Sequence, residues 1–178
     1  MESLTEQLAR YAAYHRDRRN IATHFIGIPM IVVSLAIMLS RPESALGGLP
    51  FSVSPALLLF VGATIYYLLL DVTLGLAMAS ISAMCLAFGE WSAQAPIAIR
   101  LGCGIVLFVI GWIFQFVGHA AYEHKKPAFA DDMIGLAIGP LFVLAEALFV
   151  LGWRPELRKE IERRCGPTVV NATASERH

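Results

Sequence analysis

Ile97 to His124, IAIRLGCGIVLFVIGWIFQFVGHAAYEH, is the stretch that decides how this chain is read. Between Arg100 and Glu123 it holds no acidic or basic side chain except His119. About 20 apolar residues at 1.5 Å each match the thickness of a bilayer core, so residues 97 to about 118 are expected to span as a helix. At the end of that helix Gln115, His119 and Glu123 recur every fourth residue, which places them on one α-helical face. A stripe of amide, imidazole and carboxylate is costly to keep in lipid and points to a ligand, a metal or a proton.

The composition around this stretch agrees with it. The 178 residues are 57% hydrophobic and 16% charged, with a mean hydropathy of +0.62. Soluble domains average about 45–50% apolar and about 25% charged residues. The excess lies in runs of spanning length, so the class is a polytopic membrane protein. Fourteen basic and fourteen acidic residues balance, which removes the charge argument for nucleic-acid binding. Cys85, Cys103 and Cys165 form no C-x-x-C pair and read as small hydrophobes. Met1 to Arg19 lacks the apolar core of a cleaved signal peptide.

Upstream, Ser3-Leu4-Thr5-Glu6 has the form of a capping box, and Leu4, Leu8, Tyr11 and His15 follow at helical spacing. This predicts an amphipathic helix of about 12 to 14 residues lying at the membrane surface or docked on the bundle. Arg16 to Asn20 is a charged break, with Asn20 the expected cap of the next helix. Ile21 to Ser40 is the first span, carrying His24 and Pro29. Arg41 to Pro55 is a loop. Pro55 to Phe88 reads as two spans, about 55–70 and 72–89, turning at Asp71, which is expected to cap the second. Downstream of the central stretch, Lys125 to Asp132 is polar. Ile134 to Trp153 is a last apolar tract, which Gly139-Pro140 is expected to break into a re-entrant or hairpin segment.

The fold expected is therefore all-α: a helical membrane bundle of about four to five spanning or re-entrant segments, preceded by an amphipathic N-terminal helix. Residues 1–160 are expected to form one domain and 161–178 a loose polar tail. Arg16, Arg18, Arg19, Lys125 and Lys126 place both ends of the first four spans in the cytoplasm. Arg154, Arg158, Lys159, Arg163 and Arg164 make the same demand, which a complete fifth crossing would contradict.

His15, His24, His119 and His124 all fall within about one turn of a membrane boundary on that same side. In one unbroken helix His15 and His24 would point apart, since nine residues rotate the chain about 900°. The break between them allows both to face one centre. Imidazoles with a carboxylate suit iron, manganese or zinc. Two histidines and a carboxylate fit non-haem Fe(II), and three histidines fit catalytic zinc equally well. A haem-binding electron carrier and a zinc-dependent hydrolase of membrane lipids are the alternative classes.

Two compound motifs add a resemblance. Tyr14-His15-Arg16-x-x-x-Asn20-x-x-x-His24-x-x-Gly27-x-Pro29 is similar to the first motif of the fungal 2-hydroxy fatty acid dioxygenases of the endoplasmic reticulum. Gln115-Phe116-x-Gly118-His119-x-x-x-Glu123-x-x-x-Pro127-Ala128 resembles their second motif. Gly139-Pro140 followed by an apolar stretch with Glu146 also fits, and the resemblance covers roughly residues 8–153. It implies an integral membrane enzyme (inner membrane, if bacterial) whose metal site faces the cytoplasm. The implied cofactor is Fe2+ and the implied partners are a long-chain 2-hydroxy fatty acid, O2 and membrane lipid. The implied reaction removes one carbon by α-oxidation. Carried over by motif, His15, His24, His119 and Glu123 are the implied metal and catalytic residues. Asn20 and Gln115 would orient the histidines. No role passes to His124, which falls at a variable motif position.

Overall fold

The computed structural model describes residues 2–42, 44–45, 52–124 and 133–169. The chain is an all-α helical bundle. Helix α1 spans Leu4–Ala12, and α2 runs over Arg18–Leu39 with Pro29 inside it. Two-residue strands Ser44–Ala45 and Ser52–Val53 pair antiparallel. Helices α3 (Pro55–Leu70), α4 (Val72–Ser92) and α5 (Ile97–Gly118) follow. A π-helical turn, His119–Glu123, continues α5, before α6 (Ile134–Val150) and α7 (Pro155–Cys165). Among the described residues three helices are long and apolar enough to cross a membrane: α2, α4, and α5 with its π-helical extension. Helix α3 is shorter but equally apolar. Leu58, Ile65, Leu69, Leu76, Ile105 and Val106 stand exposed on these helices. A hydrocarbon solvent accounts for them where water would not.

The chain divides into two compact units, Met1–Pro29 with Gly111–His178, and Met30–Ile110. The second is scaffold. In it α3 and α4 form a helical hairpin whose turn is the single residue Asp71; its carboxylate accepts from Leu74 N at 2.9 Å, capping α4. Ala36, Ala56, Phe60 and Cys85 form its core, packed by Val32, Val33, Leu39, Ile81 and Leu86. The buried Arg100 donates to Ser40 Oγ at 3.0 Å and to Ile37 O at 3.4 Å, a carbonyl at the end of α2 that also accepts from the Ser40 hydroxyl at 2.9 Å.

The first unit holds α1, the start of α2, the end of α5, α6 and α7. The capping box is formed: Glu6 N donates to Ser3 Oγ, and Ser3 N to Glu6 Oε2 at 2.7 Å. Helix α1 packs its buried face, including Leu8, Tyr11 and Ala12, on α6 and α7. Three features differ from the sequence expectation. Helix α2 begins at Arg18, and its start is capped by Asp17, whose Oδ1 accepts from Arg19 N at 2.9 Å, rather than by Asn20. Helix α6 continues through Gly139-Pro140. The chain turns instead after Val150, where Gly152 and Arg154 both take positive φ and α7 leaves at 119° to α6. Finally, residues 161–165 belong to α7, and Val169 forms a parallel bridge with Asp17. The polar stretch 125–132 and the tail 170–178 lie outside the described residues.

Candidate metal centre

Two glycines set the distance between α2 and the end of α5. A Cβ on Gly27 would meet Gly111 O at 2.6 Å and Phe114 Cβ at 2.9 Å, and one on Gly118 would collide with Thr23 Oγ1 and Asn20 Oδ1. The Gly27 backbone therefore lies against the backbone of α5, and Gly118, immediately before His119, lies against the Thr23 and Asn20 side chains of α2. From the other direction, α1 ends at Ala12 and the chain turns through residues 13–17 before α2 starts. That turn lets His15 and His24, nine residues apart, face each other.

His15, His24 and His119 come together with one ligand nitrogen from each, all within 4.8 Å of one another. Their exposures are 0%, 1% and 2%, so water is excluded from all three. His15 Nδ1 lies 2.7 Å from Tyr11 O, a carbonyl at the C-terminal end of α1 that also accepts from Tyr14 N at 3.1 Å. His24 Nδ1 lies 2.9 Å from Asn20 O. A carbonyl only accepts, so each Nδ1 carries the ring proton and each Nε2 presents a lone pair. Those two Nε2 atoms stand 3.0 Å apart. Two lone pairs facing each other in a buried site repel unless a cation lies between or beside them.

A shared proton is the weaker answer. Burial first, then the neighbouring His24 and His119, hold the His15 imidazole well below its ordinary pKa. A metal ion satisfies the same lone pairs and takes the third histidine too. His119 Nδ1 is buried with no hydrogen-bond partner among the described residues. The Nδ1–H to carbonyl bonds of His15 and His24 are those that metal-ligating histidines usually make through their far nitrogen. The residues present fit a metal ion. They leave no gap for a haem between His15 and His24, whose ring centroids are 4.4 Å apart.

Glu123 stands differently. It is buried, but its Oε1 accepts from Asp17 N at 2.7 Å and from Asn20 Nδ2 at 3.2 Å. It is not in the group whose ligand atoms converge. Residues 119–123 are π-helical, a wider turn than the α-helix expected there. The Asn20 side chain thus holds Glu123 while its backbone carbonyl holds the His24 ring, and Asn20 Oδ1 and Gln115 Nε2 are buried without a partner among the described residues. His124, in the left-handed conformation, is exposed.

The sequence reading missed three contributors. Tyr11 stacks on His15 with centroids 4.3 Å apart and planes 10° apart, and Phe142 packs against both rings. Tyr11 was visible as the residue one turn before His15. Phe142 gave no signal beyond hydrophobicity. Asp17, fully buried, takes a forked bond from Arg19, at 3.0 Å to Nε and 2.7 Å to Nη2, and Arg19 lies over the Tyr122 ring at 4.6 Å.

The family model described as 2-hydroxy-palmitic acid dioxygenase Mpo1-like matches residues 1–151. The 2-hydroxy-palmitic acid dioxygenase MPO1 of Saccharomyces cerevisiae is 34% identical over 160 residues, 89% of this chain and 87% of the yeast protein. No solved structure matches. The three buried histidines lie inside the matched region, and the chain belongs to the Mpo1-like 2-hydroxy-palmitic acid dioxygenase family.

Proposed function

We propose that this protein is an iron-dependent membrane dioxygenase that shortens long-chain 2-hydroxy fatty acids by one carbon with O2. His15, His24 and His119 are its metal ligands. The observation that carries the reading is the pair of Nε2 lone pairs held 3.0 Å apart by backbone acceptors on the far side of each ring. Family membership supplies the class of substrate. Arg16, Arg18 and Arg19 beside the site favour the cytoplasmic face of the membrane.

The proposed reaction balances without another reductant. A 2-hydroxy acid and O2 give the acid one carbon shorter, CO2 and water, so O2 takes all four electrons. Iron at the three histidines would supply O2 activation and a chelating position for the substrate's hydroxyl and carboxylate. The protein's part is to hold and to shield. Tyr11 O and Asn20 O fix the histidine tautomers, while the Tyr11 and Phe142 rings cover His15 and keep water away. Glu123 fixes the backbone between the first two ligands. Gln115, one turn before His119, has a side-chain N–H without a partner among the described residues, with which to orient a bound carboxylate. The apolar helices give the acyl chain its medium.

The test is direct. Membranes containing the protein, with Fe(II) added, are given 2-hydroxypalmitate and analysed for the acid with one carbon fewer. Palmitate itself should not react, because it lacks the second chelating oxygen. Product formed equally well without O2 would overturn the reading.

A further inference from the structure

The backbone between His15 and Asn20 is gripped from two sides. On one side Glu123 takes Asp17 N and the Asn20 amide. On the other side lies the segment after α7. Arg18 N donates to Val169 O at 2.9 Å, and Val169 N donates to Arg16 O at 2.8 Å. Successive peptide groups of a strand point to opposite edges, so Asp17 N–H is left free for Glu123 while its neighbours pair with Val169. Arg16 adds a third tie. Its guanidinium donates to Ala12 O at 2.7 Å, to His15 O at 3.2 Å and to Gly166 O. One side chain thus joins the end of α1, the backbone of the first histidine and the residue that ends α7.

We infer that the segment Gly166–Val169 is a positioning clasp for the metal centre: by pairing with Arg16 and Arg18 it holds His15 at the spacing that opposes it to His24. This rests on the metal-site reading above. Residues 13–17 lie outside any helix, although His15 N keeps one turn bond back to α1, to Ala12 O at 3.0 Å. That bond and the Nδ1 bond to Tyr11 O hold His15 from the α1 side, and the backbone that leads on to α2 needs its own restraints. The clasp and Glu123 supply them from opposite edges. No residue of the clasp touches the ligand nitrogens, so its action is through His15.

The experiment measures Co(II) binding to the full-length protein in detergent, by titration and by the visible ligand-field spectrum, with no substrate. Val169→Pro removes the N–H that reaches Arg16 O, whereas Val169→Ala keeps it. The clasp predicts about a tenfold loss of Co(II) affinity and an altered spectrum for Val169→Pro, within the range of about 10–100-fold that supporting groups around a metal carry. Val169→Ala should bind as the unaltered protein does. Gly89→Ala, whose Cβ would press on Ala36 O at 2.6 Å, destabilises the other unit and serves as the control for stability alone; its spectrum should not change. If Val169→Pro does not fold, Arg16→Met carries the test, since it removes the guanidinium's ties to Gly166 O, Ala12 O and His15 O together. Wild-type affinity and spectrum in the folded variant, whichever is used, overturn the clasp while leaving the metal site standing. An unaltered protein that binds no Co(II) overturns the metal reading, and the clasp with it.

Discussion

Arg100 and His119 stand near the two ends of α5, both buried, and the chain treats them differently. Arg100 meets Ser40 Oγ and Ile37 O, where the C-terminal carbonyls of α2 favour a cation. The protein itself completes that site. His119 is as deeply buried, yet its Nδ1 has no hydrogen-bond partner among the described residues, and the two histidines nearest it turn lone pairs on each other. Buried polar groups are expensive unless paired. A buried cation with its carbonyls in place is architecture; a buried nest of lone pairs requires a partner from outside.

The largest effect that tests this contrast comes from the histidines. His15→Ala, His24→Ala and His119→Ala should each bring metal content of the purified protein to background and abolish the shortened acid. Elemental analysis and the product assay check the two together. Full metal retention in His119→Ala would break the contrast at once. Next in size is Glu123→Ala, which removes the acceptor for Asp17 N and Asn20 Nδ2. Metal affinity should fall about 10–100-fold, as for other groups that support ligands from behind.

Arg100→Met probes the other side of the comparison. Ile37 O keeps the Ser40 hydroxyl as its donor, so the loss is that of the guanidinium's bonds, and it should cost about 1 kcal/mol of stability. Chemical denaturation in detergent reads that loss, and metal content should not change. A fall in metal content without a fall in stability would mean that the two ends of α5 are not independent.

How much of this the sequence discloses depends on the range of the interaction. Asp71 as a cap, the capping box at Ser3 and Glu6, and the histidines near one boundary are legible, since each rests on short spacing or on the length of an apolar run. The break between His15 and His24 is legible too, although Asp17 rather than Asn20 starts the helix. The bonds of Glu123 to Asp17 N and Asn20 Nδ2 are not legible, because they join stretches far apart in the chain, and neither is the π-helical turn that carries Glu123, since α- and π-helical turns share one sequence pattern. Gly139-Pro140 looks like a break, but the helix carries its proline. Least legible is the pairing of Val169 with Arg16 and Arg18: backbone bonds across so long a separation leave no periodicity to find.

The smallest expected effect is also the most discriminating for Glu123. Its Oε1 receives two N–H donors, one from Asp17 and one from Asn20, and a carboxamide oxygen accepts those bonds nearly as well as a carboxylate oxygen does. If Glu123 acts by holding the backbone between His15 and His24, Glu123→Gln should keep most of the metal affinity, with a loss of only about twofold to fivefold, because each bond weakens when its acceptor is no longer charged. If the carboxylate instead binds the ion, the same substitution removes an anionic ligand, and occupancy should fall nearly as far as in Glu123→Ala. Titration of the two variants side by side separates the cases. Near-equal, large losses would move Glu123 into the ligand set beside His119; a wide gap between Gln and Ala assigns it to the backbone it grips.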